Sequence, residues 1–354
     1  MASPSLYGIS NSNRDFSDKY YWGKNQFNSS FPIALANYMR DNEQSAILLS
    51  LNDDLKIEKL YKSFDKIYNT KLSNSDLYFS FETRYEPFSK FIHDELNPID
   101  LVIKSKDNKE FIQPLEIKLT TLPDNTTSEL EENKYGSEMV VRTPTIQYMA
   151  LSIASSLEKE FSRIREIFEP LLHDVREWDN KHEIKLKLPN ILKALEVFFK
   201  EYQKFEKPLV LQPVWKTLGK SSTLADNCLD IFVWTDFSIS RLFMDSAIKS
   251  NNSSGISRHQ RTAVRLSRFL YEVSKNKMVY QQPIYDGMNY DYKNDKEFAV
   301  SGIKTNRYMS CSRLTKPLIH KNEIQKIILG GGQKYLSPER RFDAILYFSK
   351  DLFE

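Results

Sequence analysis

The chain has 354 residues, 40% apolar and 13% aromatic, which is enough to bury a sizeable core in one or two domains. A net charge of only +3 excludes a polycation, so any nucleic-acid surface has to be a local basic patch. Cys228 and Cys311 form no CxxC or Cys/His cluster, no run approaches the ~20 apolar residues of a membrane span, and Met-Ala-Ser-Pro-Ser lacks the pattern of a signal peptide, so a zinc site, a disulfide framework and a membrane anchor are set aside and a cytoplasmic protein is expected.

Residues 1–31 are polar and aromatic, and Lys24, Asn25 and Gln26 have the chemistry for base or phosphate contacts, although a structural N-terminal arm fits them equally well. Pro32 is expected to open a short helix to about Arg40, and Ala46 to Leu51 is a compact strand. Leu55, Leu60, Phe64 and Ile67 lie close to helical spacing, which predicts a helix within 54–69. Leu77 to Phe81 reads as a strand, followed by Glu82 and Glu86, each a candidate third acid near a metal or else a surface or cap carboxylate.

Asn97-Pro98-Ile99-Asp100-Leu101-Val102-Ile103 comes next, then the turn-rich Lys106-Asp107-Asn108-Lys109, then Leu115-Glu116-Ile117-Lys118. Two apolar runs about such a tetrad read as a hairpin. Folding about Asp107 and Asn108 pairs residues whose numbers sum to about 215, with one residue of register slack. Asp100 then faces Leu115 or Glu116, and directly opposed residues have Cβ atoms roughly 4.5–5.5 Å apart. Strand alternation puts Glu116 and Lys118 on one face, with Leu115, Ile117 and Leu119 on the other.

Two carboxylates and a lysine are what metal-assisted phosphodiester hydrolysis requires. Mg²⁺ is held by one or two carboxylates plus water and phosphate oxygens. Asp100, Glu116 and the Ile117 carbonyl are the candidate ligands, and Lys118 is the candidate to orient a water or stabilise charge on the phosphorane. A solvated sheet face whose charges have no task is the competing reading.

Thr120 to Tyr135 is a polar loop, and Arg142 stands close to the hairpin in the chain. Thr143-Pro144 caps a helix in which Ile146, Met149, Ile153, Leu157, Phe161 and Ile164 predict one apolar face against the sheet, with Pro170 as a stop. Residues 171–206 are charged and helical with a breaker at Pro189. Leu229 to Trp234 is a buried-type strand, a helix follows over Ser238 to Ile248, and another runs from the Asn251–Gly255 loop to about Ser274. On that helix Arg258, Arg261, Arg265 and Arg268 form a stripe able to contact phosphates or guanine edges, or else a solvated face with local ion pairs. Lys304, Arg307, Arg313 and Lys316 mark a second candidate DNA-facing stretch. Asp226, Asp230 and Asp236 read as turn and cap residues, and the five histidines show no metal-ligand spacing.

Strand, hairpin and packed helix predict an α/β restriction-endonuclease-like core, a mixed central sheet flanked by helices, with additional helical segments. Asp100, Glu116 and Lys118 resemble the PD-(D/E)xK signature, with the proline displaced because Ile99 stands between Pro98 and the aspartate. Ser12-Asn13-Arg14-Asp15-Phe16, the run from Tyr21 to Pro32 and the hairpin together resemble the HindVP-like type II restriction endonucleases. That resemblance implies one restriction-endonuclease-like domain over 1–354, with a catalytic core at 77–170 and DNA recognition and dimerisation within 205–354. It also implies Mg²⁺-dependent cleavage of both strands of double-stranded DNA at a short near-palindromic site, GRCGYC, and a cognate DNA methyltransferase as genetic partner. A two-fold symmetric site is most simply read by a homodimer. The alternatives are a PD-(D/E)xK nuclease of repair or mobile-element processing without a fixed site, and a non-catalytic DNA-binding protein.

Overall fold

The computed structural model describes residues 9, 11–14, 24–118, 139–218, 223–249, 255–287, 297–300, 319–322 and 324, with backbone alone for 24–29, 139–142, 214–217, 246, 258 and 297–300. Cys311, Lys304, Arg307, Arg313, Lys316, the loop over 120–135 and the glycines at 330–332 lie outside these residues.

Strand β1 (Ser45–Leu51) is apolar almost throughout and buried on both faces, as suits a central strand. It pairs antiparallel with β2 (Ile57–Ser63) and parallel with β8 (Leu224–Thr235). Next come β7 (Pro208–Thr217), β5 (Phe111–Ile117), β4 (Ile99–Ser105) and β3 (Leu77–Thr83), in the order β2-β1-β8-β7-β5-β4-β3, with β10 (Ile319–His320) against β8. β5 and β7 run parallel and the hairpin β4–β5 antiparallel, so the expected mixed central sheet is present. A separate ribbon joins β6 (Met139–Arg142) to β9 (Glu297–Val300). The segment expected to carry recognition thus supplies two central strands, β7 and β8.

Several helix expectations need correction. Residues 54–69 hold an edge strand and a short helix, α2 (Phe64–Ile67), rather than one helix. The Asn52 side chain accepts from the amides of Asp54 (3.1 Å) and Lys56 (2.9 Å), closing a turn that the apolar spacing did not reveal. The polar Glu58, Lys59 and Lys62 then protect a sheet edge.

Helix α1 spans Lys24–Asp41 with Pro32 inside it, so the helix begins eight residues earlier than expected and Lys24, Asn25 and Gln26 form its first turn. Pro170 lies within α4 (Phe161–Leu172), and Pro189 within α5 (Lys181–Tyr202). A helical proline loses one hydrogen bond. Both Pro170 and Pro189 are exposed, whereas α1 offsets the loss by burying Phe31, Ile33, Leu35 and Met39 completely.

The apolar run from Ile146 to Ile164 is two helices, α3 (Thr143–Ser156) and α4, joined by a tight turn at Glu158–Glu160. All ten residues from Thr145 to Ala154 are buried. α3 therefore does not present a single face to the sheet. It is walled in by the sheet side and by α6 (Asp236–Lys249) and α7 (Arg258–Asn276). Helix α8 (Gln281–Asp286) follows α7. No helix among the described residues is long and apolar enough to cross a membrane.

Candidate active site

Residues 11–14 lie along the free edge of β3, where the Asn13 side chain donates to Phe81 O (2.9 Å) and accepts from Phe81 N (2.8 Å). Glu82 just beyond is exposed and ion-paired with Arg14 at 2.9 Å. The chain then turns through Asn97-Pro98 into β4. That turn is fastened to α3: the Tyr148 hydroxyl donates to Asn97 O (2.7 Å) and accepts from Tyr85 N (3.2 Å), and Asn97 donates to the Gln147 side chain.

Register decides what faces Asp100. Near the turn Lys104 pairs with Phe111, whose numbers add to 215, whereas Leu101 pairs with Leu115, which add to 216. The pairing shifts between Ile103 and Lys104, which leaves Ile112 as an extra residue in β5. Continuing the shifted register one step sets Asp100 opposite Glu116 rather than Leu115. The bulge thus selects between the two pairings that the hairpin arithmetic allowed.

Asp100 Oδ2 accepts from the Ile117 amide at 2.8 Å and lies 3.8 Å from Lys118 Nζ. Glu116 Oε1 accepts from Lys118 Nζ and from Thr145 Oγ1, the latter at 2.7 Å. Each carboxylate is therefore anchored through one oxygen. The two carboxyl groups also come within hydrogen-bond reach of each other. Two hard carboxylates brought this close suit a small divalent cation, and the donor set is the all-oxygen kind that Mg²⁺ takes. Glu116 and Lys118 keep only 10% and 13% of their side-chain surface, whereas Asp100 keeps 36%, so the site opens on the Asp100 side.

The Asp100 carboxyl is pushed up to about 6, first by its poorly solvated surroundings and then by the Glu116 charge, against the opposing pull of Lys118 and the Ile117 amide. Two carboxylates sharing one lysine are short of positive charge, and a divalent cation would supply it. Past the acids, Glu116 and Ile117 pair with Val210 and Leu211 of β7, and Lys118 N donates to Leu211 O at 3.0 Å. One further step of that parallel register sets the fully buried Gln212 alongside Lys118.

Thr145, Tyr148 and Gln212 went unnoticed in the sequence because their partners lie far away in the chain. Arg142 ends β6 three residues before Thr145, so its backbone is near the site. Glu86 is exposed at the start of a 3₁₀ turn, and among the described residues no third Asp, Glu, His or Cys joins Asp100 and Glu116 as a metal-holding group. Asp236 is the first residue of α6 rather than its cap, which is Thr235 accepting from Ser238 N; Asp236 accepts from Ser152 Oγ, Lys207 N and Phe237 N, and burial pushes its carboxyl up to about 7. Asp230 is no turn residue but sits fully buried in mid-β8 opposite Val214.

The arginine stripe is the largest correction. Arg261 and Arg265 are each only 2% exposed, and donate to Ile256 O (3.0 Å) and Tyr285 O (2.8 Å). Arg268 pairs with Glu272 and Asp179. Neighbouring helices bury Arg261 and Arg265, and their guanidinium forks serve backbone carbonyls. Arg265→Ala is expected to cost about 2 kcal/mol or more in a denaturant titration. The salt dependence of DNA binding should stay unchanged, since no phosphate contact is lost.

The model of the HindVP restriction endonuclease family matches residues 22–353. The chain belongs to this family. It is 40% identical over 354 residues to the type II restriction enzyme HgiDI of Herpetosiphon aurantiacus, covering 100% of this chain and 98% of that relative. It is 39% identical over 351 residues to the probable type II restriction enzyme HindVP of Haemophilus influenzae, covering 99% and 95%. No solved structure matches the chain. Membership in the HindVP family makes the chain a restriction endonuclease, a phosphodiester hydrolase of a restriction system.

Proposed function

We propose that this restriction endonuclease cleaves both strands of double-stranded DNA at a short near-palindromic site with Mg²⁺, using Asp100, Glu116 and Lys118. The opposition of two carboxylates, each anchored through one oxygen and within reach of the other, carries the reading. Asp100, Glu116 and the Ile117 carbonyl would hold the cation, which when bound polarises the scissile phosphate and lowers the pKa of a water. Lys118, already between the two acids, has the reach to orient the attacking water or to meet charge developing on the phosphate. Thr145 keeps Glu116 aligned, and Tyr148 holds the turn that leads into Asp100.

The site GRCGYC is proposed from the family resemblance, and a homodimer from the symmetry of such a site. Recognition is proposed to draw on residues after β8 and on Lys24, Asn25, Gln26, Arg142, Arg258, Lys304 and Arg307. A cytoplasmic location and a cognate methyltransferase belong to the same proposal, because such an enzyme acts where DNA is and the host's own sites need protection.

Digestion of DNA of known sequence with Mg²⁺, followed by end mapping, tests this. Discrete fragments whose ends share one near-palindromic hexamer are expected. Fragments with random ends would favour a PD-(D/E)xK nuclease without a fixed site. Binding without any Mg²⁺-dependent cleavage would overturn the catalytic reading.

A further inference from the structure

Helix α3 is buried along ten consecutive residues yet carries hydroxyls at Thr145, Tyr148 and Ser152. Spacings of three and four place these on one strip of the helix. Each hydroxyl is committed: Thr145 to Glu116 Oε1 at 2.7 Å, Tyr148 to Asn97 O at 2.7 Å, and Ser152 to Asp236 Oδ2 at 2.5 Å. Ser152 serves Asp236 and Tyr148 the turn ahead of Asp100, whereas Thr145 reaches one of the acids directly.

We propose that Thr145 is a positioning residue that clamps one oxygen of Glu116 so that the other is presented to a divalent cation. The proposal rests on the reading of Asp100 and Glu116 as the ligand pair. Lys118 and Thr145 donate to the same oxygen, Oε1, but they are not equivalent. Lys118 has a flexible stem and a full charge, and it leaves Glu116 when it turns to a phosphate or a water. Thr145 is β-branched, which restricts χ1, is 1% exposed, and sits on a helix walled in on all sides. It holds Glu116 throughout, and being neutral it adds no charge against an incoming cation.

The test uses Mn²⁺ as the probe, titrated into the full chain without DNA and followed by water-proton relaxation. Thr145→Val keeps the shape and removes the donor, and its Mn²⁺ affinity is expected to fall roughly 10-fold or more, the usual cost of losing a partner behind a metal ligand. Thr145→Ser keeps the hydroxyl and should restore the affinity. Ser152→Ala removes a buried hydrogen bond from the same helix. It should lower the melting temperature and leave Mn²⁺ affinity unchanged, a result that separates positioning from general destabilisation. If Thr145→Val does not fold, Thr145→Ala takes its place. Asp100→Ala/Glu116→Ala is the reference. Mn²⁺ binding that survives it overturns the ligand pair itself. Binding that needs the pair but is as tight in Thr145→Val as in the unaltered chain overturns Thr145 alone.

Discussion

Lys118→Ala is expected to lower Mg²⁺-dependent cleavage by about 10²–10³-fold or more, the cost of removing one preorganised group that meets developing charge. DNA binding without metal should be nearly unaffected, because a side chain with 13% of its surface exposed adds little to a phosphate-contacting surface. The variant should also melt earlier when free of metal. Its Glu116, with 10% of its side-chain surface exposed, keeps Thr145 but loses its cation and faces Asp100 unopposed. Breaking a buried pair by deleting one partner costs about 3 kcal/mol. A divalent ion replaces the missing charge, so adding Mg²⁺ should recover most of the lost melting temperature while cleavage stays low. Fragment assays, mobility shifts and thermal melts check the three statements, and full cleavage by the variant would remove Lys118 from the chemistry.

Asp100→Asn should give the opposite pairing of effects, an inactive enzyme that is more stable than the unaltered chain without metal. In the folded protein the Asp100 carboxyl is raised to about 6 from 3.8. Between those values the folded state holds a proton that the unfolded chain has released. This group's contribution to stability is therefore present below about 4 and is lost as pH rises through about 6. A shift of that size corresponds to about 3 kcal/mol. Solvent reaches 36% of the side chain, which reduces the figure to about 1–2 kcal/mol. Asparagine carries no charge to bury, and its carbonyl can still accept from the Ile117 amide. At pH 7 without metal Asp100→Asn should melt higher, and the difference should close towards pH 4. With Mg²⁺ the order should reverse, because only the unaltered chain gains binding energy from the ion. Cleavage should fall by about 10²-fold or more with the loss of a charged ligand. A variant that cuts normally, or that is less stable at pH 7 without metal, would contradict this account of Asp100.

These results share one cause. The structure sets two carboxylates against one lysine, and on the proposed reading a divalent cation supplies the missing positive charge. If the proposal holds, this is stability given up for function.

The amino-acid sequence alone determined the hairpin and the meeting of its three charged side chains. Asp100, Glu116 and Lys118 lie within nineteen consecutive residues joined by a turn. Period-two alternation and a local turn were therefore enough to set the three on one face, and the motif around them marked the family. Even there the last step was tertiary. The bulge at Ile112, seen only in the paired strands, put Glu116 rather than Leu115 opposite Asp100.

What lay beyond the hairpin depended on contacts that no local pattern records. Arginines at three- and four-residue spacing look alike whether water or helices surround them, and packing around α7 made Arg261 and Arg265 interior residues. Leu55, Leu60, Phe64 and Ile67 mimic a helix until Asn52 closes a turn and β1 offers a partner. Thr145 is an ordinary residue of a helix start until folding brings it to Glu116, twenty-nine positions earlier in the chain. Chemistry carried by neighbours in sequence was legible, whereas burial and partnership across the chain were decided by the tertiary structure, because only the assembled sheet and helices determine which polar groups lose water and which atoms replace it.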